Sequence, residues 1–116
     1  MSNRSILMKA EPLRSIAFGA VGGAYAAVGT PFAFPSHIIH IQNTMDQGIL
    51  VSYDGVTDNE FVAAGGYILL DISSNKTRSE GFFFPVNMTV YVKEAGAGPT
   101  IGNVYVSTYY GTDNNF

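Results

Sequence analysis

The stretch that decides the fold is "HIIHIQNTMDQGILVSYDG", His37 to Gly55, in which apolar and polar residues alternate on both sides of a polar turn. Ile39 and Ile41 fall on one face of an extended strand, with polar residues on the other. After the turn, Ile49 and Val51 repeat the same period of two. Strict alternation over a few residues is typical of half-buried strands. The stretch therefore predicts two strands, each with one face in a core.

The same alternation continues toward the C-terminus. "EFVAAGGYILLDI" predicts two short strands about Gly65-Gly66, and "NMTVYVKEAG" places Met88, Val90 and Val92 on one face. "GNVYVSTYYG" follows the turn-rich "GAGPT" and predicts a C-terminal hairpin. No stretch carries the capping signals of a helix. The predicted fold is all-β, an antiparallel β-sandwich, Ig-like or jelly-roll-like, with about seven or eight short strands.

The N-terminal third differs, because no Asp, Glu, Lys or Arg occurs between Ser15 and Met45. An apolar run of about 20 residues can span a bilayer as a helix. This run is rich in Gly and Ala, however, and Gly22-Gly23 and Gly29-Thr30-Pro31 divide it into pieces of strand length. The pattern argues against a membrane span. It predicts that residues 1–35 form an extended arm or hairpin for subunit contacts and that residues 36–116 form the sandwich.

The amino-acid composition excludes several classes of partner and site. Charged residues make up 13% of the 116 residues, about half the usual share, and the net charge is −3. We expect no nucleic-acid partner, since six scattered basic residues provide no basic patch. Without any Cys, the chain has no disulfide and no thiolate metal site. So little charge leaves apolar surface uncovered, which predicts a homo-oligomer.

Metal binding receives little support from the sequence. His37 and His40 fall on opposite faces of a regular strand, so they cannot chelate one ion together. The loop "YDGVTDNE" carries Asp54, Asp58 and Glu60, which could hold calcium, but the alternating ligand pattern of calcium loops is absent. A "DG" pair between strands first predicts a hairpin turn, with the glycine in a conformation other residues avoid.

Catalytic chemistry is equally unsupported. Ser52, Asp54 and His40 contain the residue types of a hydrolase triad, yet no nucleophile elbow surrounds the serine and nothing orders the three in space. We therefore expect a non-enzymatic protein with no cofactor.

Aromatic residues are the candidates for partner contacts. In "GFFFP" three adjacent Phe must point to both faces of a strand, so some reach the surface unless a partner covers them. The polar loop "SSNKTRSEG" adds two basic side chains that could meet an acidic partner. The predicted contact residues are Phe18, Tyr25, Phe32, Phe34, Lys76, Arg78, Phe82, Phe83 and Phe84.

Residues 36–111 resemble a family of small β-rich virion proteins of tailed bacteriophages. The likeness rests on the strand end "IQNTMD", on "VSYDGVTDNEFVAAGG" followed by "YILLD", and on the C-terminal "VYVKEAG" and "GNVYVSTYYG". The middle element is the most particular, and the strand end departs from the family only in having "NTMD" where "NTTD" is usual.

The resemblance implies a structural virion protein without enzymatic activity. It would lie in the head-to-tail connector (neck), collar or tail, or decorate the capsid, and contact its own copies and portal, tail or capsid proteins. The alternative is a carbohydrate-binding sandwich for host attachment. It would use tyrosines as stacking platforms and two carboxylates as polar contacts, namely Tyr53, Tyr105, Tyr109, Tyr110, Asp54 and Asp58.

Overall fold

The computed structural model describes residues 5–72 and 84–114, which form nine strands and one short 3-10 turn at Phe18–Ala20. The strands are β1 Ser5–Ala10, β2 Arg14–Ala17, β3 Ala26–Ala27, β4 Ile38–Asn43, β5 Ile49–Ser52, β6 Glu60–Val62, β7 Tyr67–Asp71, β8 Tyr91–Glu94 and β9 Asn103–Asn114. All pairings between them are antiparallel.

The strands form two sheets packed as a β-sandwich, which confirms the predicted fold class. The large sheet has the order β1-β9-β4-β7, and β2 pairs with β9 on the same side as β1. The small sheet has the order β3-β8-β5-β6. Between them lies a core of buried apolar side chains: Val21, Val28, Phe32, Ile39, Ile41, Met45, Ile49, Val51, Val62, Val90, Val92, Val104 and Val106.

The period of two explains which side chains enter this core. Ile39 and Ile41 of β4 are fully buried, while Gln42 between the buried positions is exposed. Val90 and Val92 are buried in the same way from the small sheet. The predicted inward faces of these strands are therefore confirmed.

The predicted C-terminal hairpin is wrong. β8 belongs to the small sheet and β9 to the large sheet, so residues 95–102 cross from one layer to the other. The crossing ends at Gly102, which has φ +92°, and a Cβ there would lie 2.4 Å from the Thr44 carbonyl oxygen. Glycine is required at that position because the incoming chain passes directly against the turn after β4.

The first 35 residues do not form an arm separate from the sandwich, which corrects the predicted division at residue 35. β1 and β2 pair with β9, and β3 pairs with β8. Val28 and Phe32 are fully buried in the core. Their N–H groups donate to the carbonyl oxygens of Val90 and Met88, each over 2.8 Å. The few large side chains in this glycine-rich stretch thus fill one end of the core.

Within the described residues, no helix has the length and apolar character needed to cross a bilayer.

Candidate interaction surfaces

A β-bulge separates β1 from β2 and places two charged residues inside the protein. Ala10 pairs with Tyr109 and Arg14 pairs with Val106, so three residues of this edge face two residues of β9. One extra residue in one strand defines a bulge. The bulge turns Glu11 and Arg14 inward, and Arg14 Nη2 lies 2.7 Å from Glu11 Oε1. Both side chains are more than nine-tenths buried.

This ion pair holds the segment that joins the two sheets, residues 29–34. Arg14 Nε donates to the Thr30 carbonyl oxygen over 2.7 Å, and Nη2 also donates to that of Pro31. The Glu11 carboxylate accepts the backbone N–H groups of Ala33 and Phe34. Because each charge is paired and hydrogen-bonded, the cluster acts as a structural clamp beside an open cavity of about 350 Å³.

The outer face of the large sheet is the first candidate interaction surface, and we call it the aromatic face. It consists of alternate residues of β7, β4 and β9 that point away from the small sheet. Tyr67 is 67% exposed and Leu69 is 54% exposed. Its cross-strand rows are Tyr67–Gln42–Tyr105, Leu69–His40–Ser107 and Asp71–Ile38–Tyr109.

Aromatic rings organise this face. The His40 ring meets the Tyr67 ring edge to face, with 5.4 Å between ring centroids. Asp71 is the only Asp, Glu, Lys or Arg residue in the three rows. A low-charge surface built from Tyr and aliphatic side chains is typical of the central part of protein interfaces.

A two-stranded ribbon is the second candidate surface. β9 pairs with β4 only as far as Tyr109, whereas its pairing with β1 continues to Asn114. Residues 5–9 and 110–114 therefore leave the sandwich as a ribbon, and the long dimension of the protein is 57 Å against 23 and 21 Å. At its base the Tyr110 ring stacks on Phe34, with 4.1 Å between centroids.

The predicted contact residues differ in how exposed they are. Phe18 and Phe34 are about two-fifths exposed, as a contact role requires. Phe32 is fully buried in the core, so its assignment as a contact residue is wrong. Phe84 is half-buried, packs against the core and forms a β-bridge with Ser36. Lys76, Arg78, Phe82 and Phe83 lie outside the described residues.

Tyr25 is half-buried and belongs to a polar cluster on the small sheet. Its hydroxyl donates to the Asp58 carboxylate, and Lys93 Nζ lies 3.4 Å from the same carboxylate. Lys93 also lies 4.6 Å from the centroid of the Tyr25 ring. Desolvation and the Asp58 hydrogen bond raise the pKa of Tyr25 to about 12. The hydrogen bond from Tyr25 lowers the pKa of Asp58.

The loop after β5 is a tight turn organised by Asp54. Its Oδ1 atom accepts the Ser52 hydroxyl and the N–H groups of Val56 and Thr57, at 2.7 to 2.8 Å. These hydrogen bonds lower the pKa of Asp54, and the bond from the Thr57 N–H contributes most. Gly55 has φ +81°, which confirms the predicted role of glycine in this turn. Among the described side chains, no three His, Asp or Glu residues come together in a group that could hold a metal ion.

The residues of the carbohydrate alternative do not form one site. Tyr105 and Tyr109 lie on the aromatic face of the large sheet, while Tyr110 points to the opposite side of β9. Tyr53, at the end of β5 in the small sheet, packs against the core. Burial raises its pKa, and its buried hydroxyl has no hydrogen-bond partner within residues 5–72 and 84–114.

Sequence reasoning missed the Glu11–Arg14 pair. The available signal was the position of two charges about Pro12, immediately before a long uncharged stretch. Opposite charges three residues apart are common on surfaces, so the spacing alone gives no indication of burial.

Comparison of the chain with models of protein families and with curated proteins found no match in either case.

Proposed function

We propose that this protein is a non-enzymatic structural component of a tailed-bacteriophage virion that assembles as a symmetric homo-oligomer. The favoured position is the head-to-tail connector, the collar or the tail, with capsid decoration as the variant. The resemblance of residues 36–111 to small β-rich virion proteins supports the virion assignment. Its further partners would be portal, tail or capsid proteins.

The observation that carries the assembly proposal is the ribbon of β1 and β9. Two-stranded ribbons are marginally stable in water without further strands or a packed layer. This ribbon carries Met8, which is 51% exposed, and no second sheet among the described residues covers it. Contact with another subunit would supply the missing layer.

The aromatic face adds a second reason. Exposed Tyr67 and Leu69 lie beside half-buried Ile38, Tyr105 and Tyr109 in a continuous patch. Large apolar patches on a protein surface commonly mark interaction sites. The patch contains little charge, so a partner that buries it loses little hydration of ionised groups.

The assembly proposal is tested by the mass of the native protein. Light scattering and native mass spectrometry at micromolar concentration should give one discrete oligomer larger than the 12.4 kDa chain. A soluble monomer at that concentration contradicts the homo-oligomer.

The virion proposal needs a separate test with purified particles of a phage that encodes the chain. Mass spectrometry should detect the protein in a constant copy number per particle, and antibody labelling in electron micrographs should place it at the neck, tail or capsid. Absence from washed particles contradicts the proposal. Specific binding of the protein to a glycan array would favour the carbohydrate alternative.

A further inference from the structure

β1 forms an open edge of the large sheet within residues 5–72 and 84–114. It pairs with β9 and with no other described strand. Its residues 5–9 pair with residues 110–114, beyond the point where the pairing of β9 with β4 ends at Tyr109. This edge therefore runs along the protruding ribbon rather than along the body of the sandwich. Natural proteins commonly protect such edges because unpaired backbone groups can pair with another chain.

Hydrogen bonds on both sides of β9 show which way the backbone of β1 points. The Glu11 N–H donates to the Thr108 carbonyl oxygen, so Glu11 turns its backbone groups toward β9. The Tyr109 carbonyl oxygen accepts the His37 N–H, so Tyr109 turns its backbone groups toward β4 and away from its cross-strand neighbour Ala10. Both bonds place Ala10 at a position whose backbone groups point away from β9.

Alternate residues of β1 present their backbone groups to the open edge. Backbone direction alternates from one residue to the next along an antiparallel strand. Ile6, Met8 and Ala10 therefore share the outward direction, whereas Lys9 turns its backbone groups toward β9. The side chains of Met8 and Ala10 are also exposed. The edge thus offers a short row of donors and acceptors to a further antiparallel strand.

The one charged residue of β1 restricts how a second copy can pair with it. β1 contains Lys9 and no Asp, Glu or Arg. Two-fold pairing centred on position 9 would set two Lys9 residues directly opposite each other, and like charges in that arrangement are destabilising. Pairing centred on Met8 sets Lys9 opposite position 7 instead. It also engages every outward residue of the strand, with Ile6 opposite Ala10 and Met8 opposite its own counterpart.

The register keeps the two sandwiches apart in such a dimer. β4 pairs with residues 104–109 of β9 and β2 pairs with residues 103–106, whereas Met8 lies opposite Gly111. A two-fold rotation about Met8 therefore places the bodies of the two subunits at opposite ends of the joined ribbons. The approaching β1 meets no other described strand of the large sheet.

We infer that β1 of one subunit pairs antiparallel with β1 of a second copy, about a two-fold axis at Met8. The two ribbons then form one four-stranded sheet in the order β9-β1-β1-β9. This inference rests on the proposed homo-oligomer and specifies one of its interfaces. A two-fold axis lets both subunits use the same surface. A second copy suits this edge because it brings an identical ribbon, and each ribbon gains the further strands that a two-stranded ribbon needs in water.

Single cysteines test the pairing and its register, because the chain has no native Cys. Met8→Cys places two thiols across the axis, where opposite Cα atoms are about 5.5 Å apart and within the range of a disulfide. Mild oxidation should convert most of this variant into a covalent dimer that reductant returns to the monomer on denaturing gels.

Ala10→Cys is the matched control for this cross-link. It lies on the same strand and the same face as Met8 and is also exposed. In the two-fold pairing it would be more than about 13 Å from its counterpart, because four residues of extended chain separate them. Ala10→Cys should therefore give little covalent dimer under the same conditions. Equal cross-linking of both variants would indicate a different register or parallel ribbons.

A proline variant tests the contribution of the backbone. Met8→Pro removes an outward N–H and no hydrogen bond to β9, so the folded subunit should keep its β circular dichroism. Its assembly should have at most half the mass of the parent assembly in sedimentation experiments, because this interface is lost. Met8→Ala retains the N–H and should keep the parent mass.

The outcomes separate this inference from the proposed function. If the parent is an oligomer but Met8→Cys forms no covalent dimer, the pairing of β1 edges is wrong while the homo-oligomer stands. Equal cross-linking through Ala10→Cys, or a folded Met8→Pro variant with the parent mass, would overturn the pairing in the same way. A parent that is monomeric at micromolar concentration overturns both the pairing and the homo-oligomer.

Discussion

Glu11 and Arg14 form a buried ion pair across the β-bulge between β1 and β2, with 2.7 Å between Arg14 Nη2 and Glu11 Oε1. The pair joins the edge of the large sheet to residues 29–34, which lead from the small sheet back to β4. In a protein with few charged residues, two of them thus fix the segment that connects the two sheets.

Removing one member of this pair should be strongly destabilising. Arg14→Met leaves the Glu11 carboxylate buried without its partner, which costs about 3–5 kcal/mol of unfolding free energy. The double variant Glu11→Gln with Arg14→Met should lose less unfolding free energy than the sum of the losses in Glu11→Gln alone and Arg14→Met alone. No unpaired charge remains in the double variant. Chemical denaturation measures all three variants. Lys9→Met is the control for loss of an exposed positive charge, and an equally large loss there would contradict the clamp.

Phe32 should behave as a core residue. Phe32→Ala removes a fully buried ring, and the resulting cavity should cost about 3–5 kcal/mol. Phe18→Ala, at a ring that is 40% exposed, should cost less than about 1 kcal/mol. Thermal or urea unfolding of both variants measures these changes in unfolding free energy. Similar losses of unfolding free energy at the two positions would contradict the placement of Phe32.

Deletion of residues 1–30 should abolish the fold. The deletion removes β1, β2 and β3 together with buried Val21 and Val28. An arm used only for subunit contacts would be dispensable for folding, so this test compares the sequence-based division with the structure. Circular dichroism of the truncated chain should show loss of the β signal, and a retained cooperative unfolding transition would contradict the structure.

The turn after β5 should require a residue that tolerates positive φ at position 55. Gly55→Val should cost about 1–3 kcal/mol because a β-branched residue is strained at φ +81°. Gly55→Asn should be better tolerated, since Asn adopts this conformation more readily. A Cβ at this position lies 3.3 Å from the Tyr91 ring in either variant, so both variants share this contact and differ in how well the residue tolerates positive φ. Equal unfolding midpoints for the two variants would contradict the strain argument.

Stability should fall in acid partly through Asp54. Its pKa is lower in the folded protein, so its contribution is present above the unfolded pKa of about 3.9 and is lost as pH falls below that value. Asp54→Asn should therefore flatten the decrease in unfolding midpoint as pH falls below about 4. An unchanged pH dependence in this variant would contradict the hydrogen-bonded turn.

The sequence predicted which side chains point inward more successfully than which strands are neighbours. Alternation placed Ile39, Ile41, Val90 and Val92 correctly, because burial on one face leaves a period of two in any sheet. The same period occurs in both layers, so it could not separate β8 from β9. Loop residues 95–102 contain turn-forming residues whether they make a hairpin or cross between sheets.

The candidate surfaces were predictable only in part. Phe18 and Phe34 are partly exposed, and their contact role stays a prediction. The aromatic face depends on the side-by-side arrangement of β7, β4 and β9, which lie far apart in sequence. Phe32 was misplaced because its neighbours are small, so local hydrophobicity understated its burial. Phe32 belongs to the core between the two sheets, and the Arg14 guanidinium lies 5.1 Å from its ring centroid.

β9 is the last described strand in sequence, yet it pairs with β1, β2 and β4. During synthesis those three strands leave the ribosome before β9, which pairs with each of them. Ser5, for example, can pair with Asn114 only after nearly the whole described chain has been made. The large sheet can therefore form only late, after pairing across almost the whole described chain. Until then the apolar edges of the early strands are exposed, so slow elongation through residues 103–114 should increase aggregation of nascent chains.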